Sequence, residues 1–104
     1  MPVARPGEVW QTDLGMQAKA RPCLIWTHPP NETELAVAAV VAHTTSVRGS
    51  HWEIQIAKPY LEEGAFDVQR IATVATVKLE RKLGNLAPQE FETVLDRLAE
   101  RLGL

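Results

Sequence analysis

Apolar residues recur at helical spacing in only one stretch of this chain, its last. Phe91, Val94, Leu95, Leu98 and Leu102 stand at i, i+3, i+4, i+7 and i+11, the stripe of an amphipathic helix. Pro88 suits the first turn, Gln89 and Glu90 suit its positive end, and Gly103 suits its exit, although Ala87 offers no capping hydroxyl. Everything before it is cut by proline, glycine and polar turns into short segments. The chain is therefore expected to be mainly β with a C-terminal helix: five or more antiparallel strands in a small barrel or half-barrel, with the helix over one opening or edge.

The segments can be read in order. Glu8 to Leu14 alternates, with Val9, Gln11 and Asp13 on one face and Trp10, Thr12 and Leu14 on the other, a first strand. Gly15 to Ala20 reads as a hairpin-like connection. Arg21-Pro22 then opens the apolar run Cys23 to Trp26, with Pro22 at the beginning or edge of a strand, and His28-Pro29-Pro30-Asn31 stops it. Leu35 to Ala42 reads as a buried strand that delivers His43-Thr44-Thr45-Ser46 at its end. His51 to Ala57 alternates again, with Trp52, Ile54 and Ile56 opposite His51, Glu53 and Gln55. In Ala65 to Val77 the apolar parity switches, which requires two strands or one strand with a bulge. Leu83-Gly84-Asn85-Leu86 reads as a short strand or turn.

Composition narrows the function classes. A chain of 104 residues with 45% apolar content and net charge −2 is long and apolar enough for one modest core, and is expected to form a single domain over residues 1–104. Its longest apolar run, Leu35 to Ala42, is far short of the roughly 20 residues that span a bilayer, and the N-terminus has no signal-peptide core. A cytoplasmic location away from membranes is expected. The single cysteine, Cys23, fits a reducing compartment and reads as inert core. The charge balance opposes a broad nucleic-acid surface. The helical segment carries the whole negative surplus, so residues 1–86 are neutral and any phosphate site must be local.

Taken alone, Arg21 is a solvated strand-edge arginine and Thr44-Thr45-Ser46 a loop cap. His43 and His51 suit acid–base work at neutral pH. On a regular strand, however, His43 points away from Thr44 and reads as packed. His51 lies on a polar face across a short turn, and His28 sits in a proline-rich loop. The three histidines show no metal-ligand spacing, so no metal or other cofactor is expected. Trp10, Trp26 and Trp52 could stack on bases, but the alternating faces of Trp10 and Trp52 suit a core or a subunit interface better.

The order of motifs resembles the MazF/PemK toxins, endoribonucleases of bacterial toxin–antitoxin pairs. Gly7-Glu8-Val9-Trp10-x-x-Asp13-Leu14 is similar to their opening strand, and Arg21-Pro22-Cys23-Leu24-Ile25-Trp26 to their R-P strand. Val40-Val41-Ala42-His43-Thr44-Thr45-Ser46 is similar to their V-V-x-x-T-[TS] strand end, and Leu83-Gly84-Asn85-Leu86-Ala87-Pro88-Gln89-Glu90 to the motif that starts their helix. The resemblance implies an SH3-like barrel of the CcdB/MazF type, a homodimer, a cognate antitoxin protein and metal-independent cleavage of single-stranded RNA. In that cleavage the 2′-OH attacks the adjacent phosphate, leaving a 2′,3′-cyclic phosphate and a 5′-OH. It places the catalytic pair on Arg21 and Thr44; beside that pair, Thr45, Ser46, Arg48, His51, Lys19 and Arg70 are expected as RNA-binding or supporting groups. Growth inhibition by arrest of translation follows from the same resemblance.

One segment departs from the family pattern D-Q-[IP]-R-T. Counting back from Leu83-Gly84 places Gln69-Arg70-Ile71-Ala72-Thr73 there, without the acid or the arginine. Arg70 stands at a neighbouring position, and a one-residue slip turns a strand side chain to the other face. The departure keeps a second expectation open: a non-cleaving toxin or binding module of the same fold, acting on a protein target such as DNA gyrase. A free-standing SH3-like domain for proline-rich peptides is less suited, because the chain has one Tyr and two Phe.

Overall fold

A computed structural model describes residues 3–15 and 19–104. Six strands form one antiparallel sheet: β1 (Glu8–Thr12), β2 (Arg21–Ile25), β3 (Val37–Thr44), β4 (Glu53–Ile54), β5 (Ala65–Ala75) and β6 (Leu79–Asn85). Their order across the sheet is β4-β5-β3-β2-β1-β6, and the end strands do not pair with each other, so the sheet is open. Helix α1 (Pro88–Leu102) follows β6. It lies over a face of the sheet rather than an opening. Its buried Val94 and Leu98 share a core cluster with Val9, Leu24, Val41, Phe66 and Val68. No helix is long and apolar enough to cross a membrane among the described residues.

The opposite face, which α1 does not cover, carries a second cluster of Trp10, Cys23, Ile25, Val40 and Ala42. A concavity of about 480 Å³ opens on this side, where Trp10, Ala38, Leu79 and the largely exposed Val77 meet the His28-Pro29-Pro30 loop. Cys23 is fully buried here, and desolvation pushes its thiol up to about 11, so it stays protonated and inert.

Several boundaries differ from the sequence reading, each for a local reason. The first strand stops at Thr12 instead of Leu14, because the Asp13 carboxylate accepts the Gly15 N–H at 3.0 Å and Gly15 adopts a φ of 110°. Of the Gly15 to Ala20 connection, residues 16–18 lie outside the described residues. The second strand starts earlier, at Arg21. Pro22 pairs only toward β1, and the β2–β3 ladder begins at Cys23, so its missing N–H interrupts no bond of that ladder. The buried strand runs Val37–Thr44, two residues later than read, and Leu35 is 80% exposed in the preceding turn.

The alternating His51 to Ala57 segment is paired only at Glu53–Ile54. The Glu53 carboxylate is occupied in closing the preceding loop, accepting the backbone N–H groups of Arg48 at 2.9 Å and Ser50 at 2.7 Å. The parity switch in Ala65 to Val77 is a bulge: β5 is one strand whose register against β3 shifts between Val41 and His43. The Leu83 to Leu86 motif is the end of a longer strand, β6. Its charged start, Glu80-Arg81-Lys82, reads as loop but is an exposed sheet edge. At the helix start, Ala87 is indeed without a capping hydroxyl. Glu90 compensates by accepting the Ala87 N–H at 2.7 Å, half of a capping box. Gly103 ends the helix with a φ of 75°.

Candidate nucleic-acid cleft

At one end of the sheet β1, the start of β2 and the end of β3 form a polar cleft of about 760 Å³. Gln11 contributes from β1, Lys19 and Arg21 from the approach to β2, and Thr44, Thr45 and Ser46 from the exit of β3. The opposing wall is Tyr60, Glu62 and Arg70. Six of the eight residues expected at the site therefore converge. Arg48 and His51 do not line the cleft. Arg48 is held by its backbone to Glu53, and His51 Nε2 lies 2.8 Å from the Glu100 carboxylate on α1, while Arg97 donates to the His51 carbonyl.

Three cations, Lys19, Arg21 and Arg70, face one carboxylate, Glu62, in a chain whose net charge is −2. The positive field is local, as a phosphate site in this composition requires. Arg21 makes no ion pair among the described residues, so its guanidinium fork is available to a ligand. Thr44 is buried, and its Oγ1 accepts the Ser46 N–H at 3.0 Å. That bond fixes the hydroxyl oxygen and leaves its proton to donate.

The arginine of the departed segment also reaches the cleft. Arg70 Nε is 3.4 Å from Asp67 Oδ2, and Asp67 is anchored in turn by the Gln69 N–H at 2.9 Å. Arg70 precedes Ala72 by two residues, not one, and an even displacement keeps a strand side chain on the same face. Asp67-Val68-Gln69-Arg70 preserves the D-x-x-R spacing of the family pattern two residues earlier. Allowing a two-residue gap in the count was the signal that would have found it.

Strand alternation predicts that His43 faces away from Thr44, yet both line the cleft, next to the point where the β3–β5 register shifts. The ring is 3% exposed and stacks edge-on against Phe66, with centroids 5.1 Å apart. Its Nε2 is buried with no hydrogen-bond partner, a condition that costs about 1–3 kcal/mol. Desolvation holds its pKa below the ordinary histidine value against the opposing pull of Glu62, so the ring is neutral at pH 7.

Glycines set two close approaches. A Cβ on Gly64 would lie 2.1 Å from the Thr44 carbonyl oxygen and 2.8 Å from His43 Cε1, and one on Gly84 would lie 2.4 Å from Tyr60 Cε2. Tyr60, which the sequence reading passed over, donates its hydroxyl to the Asn85 carbonyl at 2.9 Å and so ties the cleft wall to the Leu83-Gly84-Asn85-Leu86 motif. None of the three tryptophans lines the cleft. Trp10 is buried on the face away from the helix, with Nε1 donating to Glu8 at 2.9 Å, and Trp26 and Trp52 pack against the other core cluster.

Comparison with known proteins places these features in a family. The description "PemK-like, MazF-like toxin of type II toxin-antitoxin system" matches residues 5–102. The chain belongs to that family. Among solved structures, an endoribonuclease from mycobacterial species is 25% identical to this PemK/MazF-family chain, with a TM-score of 0.80, covering 100% of this chain and 95% of that one. A mycobacterial endoribonuclease in complex with its cognate antitoxin is 26% identical, with a TM-score of 0.82 and coverages of 97% and 96%. MazE–MazF from Deinococcus radiodurans, at 13% identity and a TM-score of 0.83 over 100% and 99% of the chains, shares the fold. No curated protein matches significantly.

Proposed function

We propose that this PemK/MazF-family toxin is a sequence-specific endoribonuclease that cleaves single-stranded RNA without a metal and arrests translation. The observation that carries the reading is the convergence of Arg21 and Thr44, from adjacent strands, in a cationic cleft. Attack of a 2′-OH on the neighbouring phosphate builds charge on the non-bridging oxygens. A guanidinium fork and a fixed hydroxyl are suited to receive that charge, and need no metal ion to do so. Arg70, braced by Asp67, and Lys19 are suited to flanking phosphates, with Thr45 and Ser46 as further donors. The products are a 2′,3′-cyclic phosphate and a 5′-OH.

The same reading takes the chain as one domain of a cytoplasmic homodimer restrained by a cognate antitoxin. The apolar face around Trp10 and Val77, which α1 leaves uncovered, supports pairing with a second copy. The antitoxin is supported by the mycobacterial relative solved with its own. The test is incubation of the purified protein with a long single-stranded RNA in EDTA, beside Arg21→Ala, with mapping of fragment ends. Cutting at a short recurring sequence with 5′-OH ends, by the unmutated protein alone, is the expected result. A folded dimer that cuts none of several unrelated RNAs would overturn the reading in favour of a protein target.

A further inference from the structure

Cleavage through a 2′-hydroxyl needs a group that accepts its proton, and neither Arg21 nor Thr44 can. An arginine keeps its proton throughout the physiological range, and a neutral hydroxyl is a poor base. Lys19 and Arg70 are cations, and the Tyr60 hydroxyl already donates to the Asn85 carbonyl. Two proton acceptors remain in the cleft among the described residues, His43 and Glu62.

The geometry favours His43. It lines the cleft beside Thr44, and its ring is held between the Phe66 ring and the backbone at Gly64. One ring nitrogen is buried with no protein partner, a state that native structures keep where a ligand or a reaction uses it. Glu62 is exposed, and a carboxylate is a weaker base than an imidazole at neutral pH. The charged groups that line the cleft with the ring are Glu62, ahead of β5, Lys19 and Arg21 at the start of β2, and Arg70 from β5.

We propose that the His43 imidazole takes the 2′-hydroxyl proton, with the Glu62 carboxylate stabilising the imidazolium; this rests on the ribonuclease reading above. As the proton moves to the ring nitrogen, the 2′-oxygen bonds to phosphorus and the bond from phosphorus to the 5′-oxygen breaks. The departing 5′-oxygen takes a proton from water, and the resulting hydroxide returns the ring to neutrality.

The test is single-turnover cleavage between about pH 5 and 8, by the unmutated protein, His43→Gln and Glu62→Gln, with binding measured on a 2′-O-methyl RNA that cannot be attacked. His43→Gln is expected to bind that RNA within about threefold of the unmutated protein, to cut at least about 100-fold more slowly, and to lose the fall in rate on the acid side. Glu62→Gln is expected to move that fall to lower pH, because the charge that favours the imidazolium is gone. Near-normal cutting by His43→Gln overturns the assignment, as does loss of the acid-side fall in Glu62→Gln. If His43→Gln does not fold, the unmutated protein decides: a rate that does not fall on acidification overturns the proposal. Failure of the unmutated protein to cut any RNA removes the ribonuclease reading itself.

Discussion

At the residue scale the cleft depends on groups whose geometry cannot be exchanged for similar chemistry. Lysine at position 21 would keep the charge but lose the fork that meets two phosphate oxygens. Arg21→Lys is therefore expected to cleave RNA far more slowly, and Arg21→Ala about 10²–10³-fold more slowly, in single-turnover assays. Thr44→Ser, which retains the hydroxyl, should cut within about tenfold of the unmutated protein, and Thr44→Val should resemble Arg21→Ala. Gly64 serves the same site by close approach. A methyl there meets the Thr44 carbonyl at 2.1 Å, and backbone cannot step aside as a side-chain tip can. Gly64→Ala is expected to cost about 1–3 kcal/mol and lower the melting temperature by several degrees, which a thermal unfolding scan reads directly.

At the element scale, α1 stabilises the sheet through a narrow stripe and an ionic anchor at its start. Leu98 is 2% exposed against β-strand residues of the core, so Leu98→Ala should lose about 2–5 kcal/mol, measurable as a lower urea midpoint. At the helix start Glu90 accepts from Lys58 Nζ at 2.7 Å and from the Ala87 N–H. The Lys58 bond first, and the Ala87 bond second, hold its carboxyl below the usual range. A depressed carboxylate adds stability above its unfolded pKa of about 4.3 and loses it as pH falls through the folded value. Acidification below about pH 4.5 should thus weaken the unmutated protein more than Glu90→Gln, in denaturant titrations at each pH.

At the scale of the whole molecule, α1 covers one face of the sheet and leaves the other open. The open face presents Val77 at 73% and Val3 at 51% exposure beside buried Trp10, more apolar surface than a solvated face needs. Val77→Glu changes a side chain that supports no core contact in the protomer. It is expected to leave the fold intact by circular dichroism and, if the proposed homodimer pairs through this face, to shift the sedimenting species to a monomer. The cleft's three cations also set the salt response of RNA binding. Neutralising about three phosphates gives a slope of about −2 for log affinity against log salt, measurable by titration at several ionic strengths.

What was legible in the chain was what local order carries. Period-2 and period-3.6 patterns decide which segments are strands or helix, and side-chain type with sequence order decides that Arg21 and the Thr44 run border strands. The first strand, the helix Pro88–Leu102 and the parity switch within Ala65–Ala75 follow from these alone, whereas the end of the first strand at Thr12 and the choice of a bulge over two strands do not. What the tertiary structure decided was which borders meet. His51 and Arg48 have the right chemistry, but the Glu53 loop closure and the Glu100 pairing hold them away from the cleft. His43 has the wrong parity for a regular strand, yet it lines the cleft where the register against β5 shifts. Tyr60 and Glu62 lie in a loop with no periodicity to read, and only the fold sets them opposite Arg21. Alternation fixes the face of a side chain relative to its strand neighbours. Register across strands fixes which side chains become neighbours in space, and it depends on pairings between residues far apart in the chain.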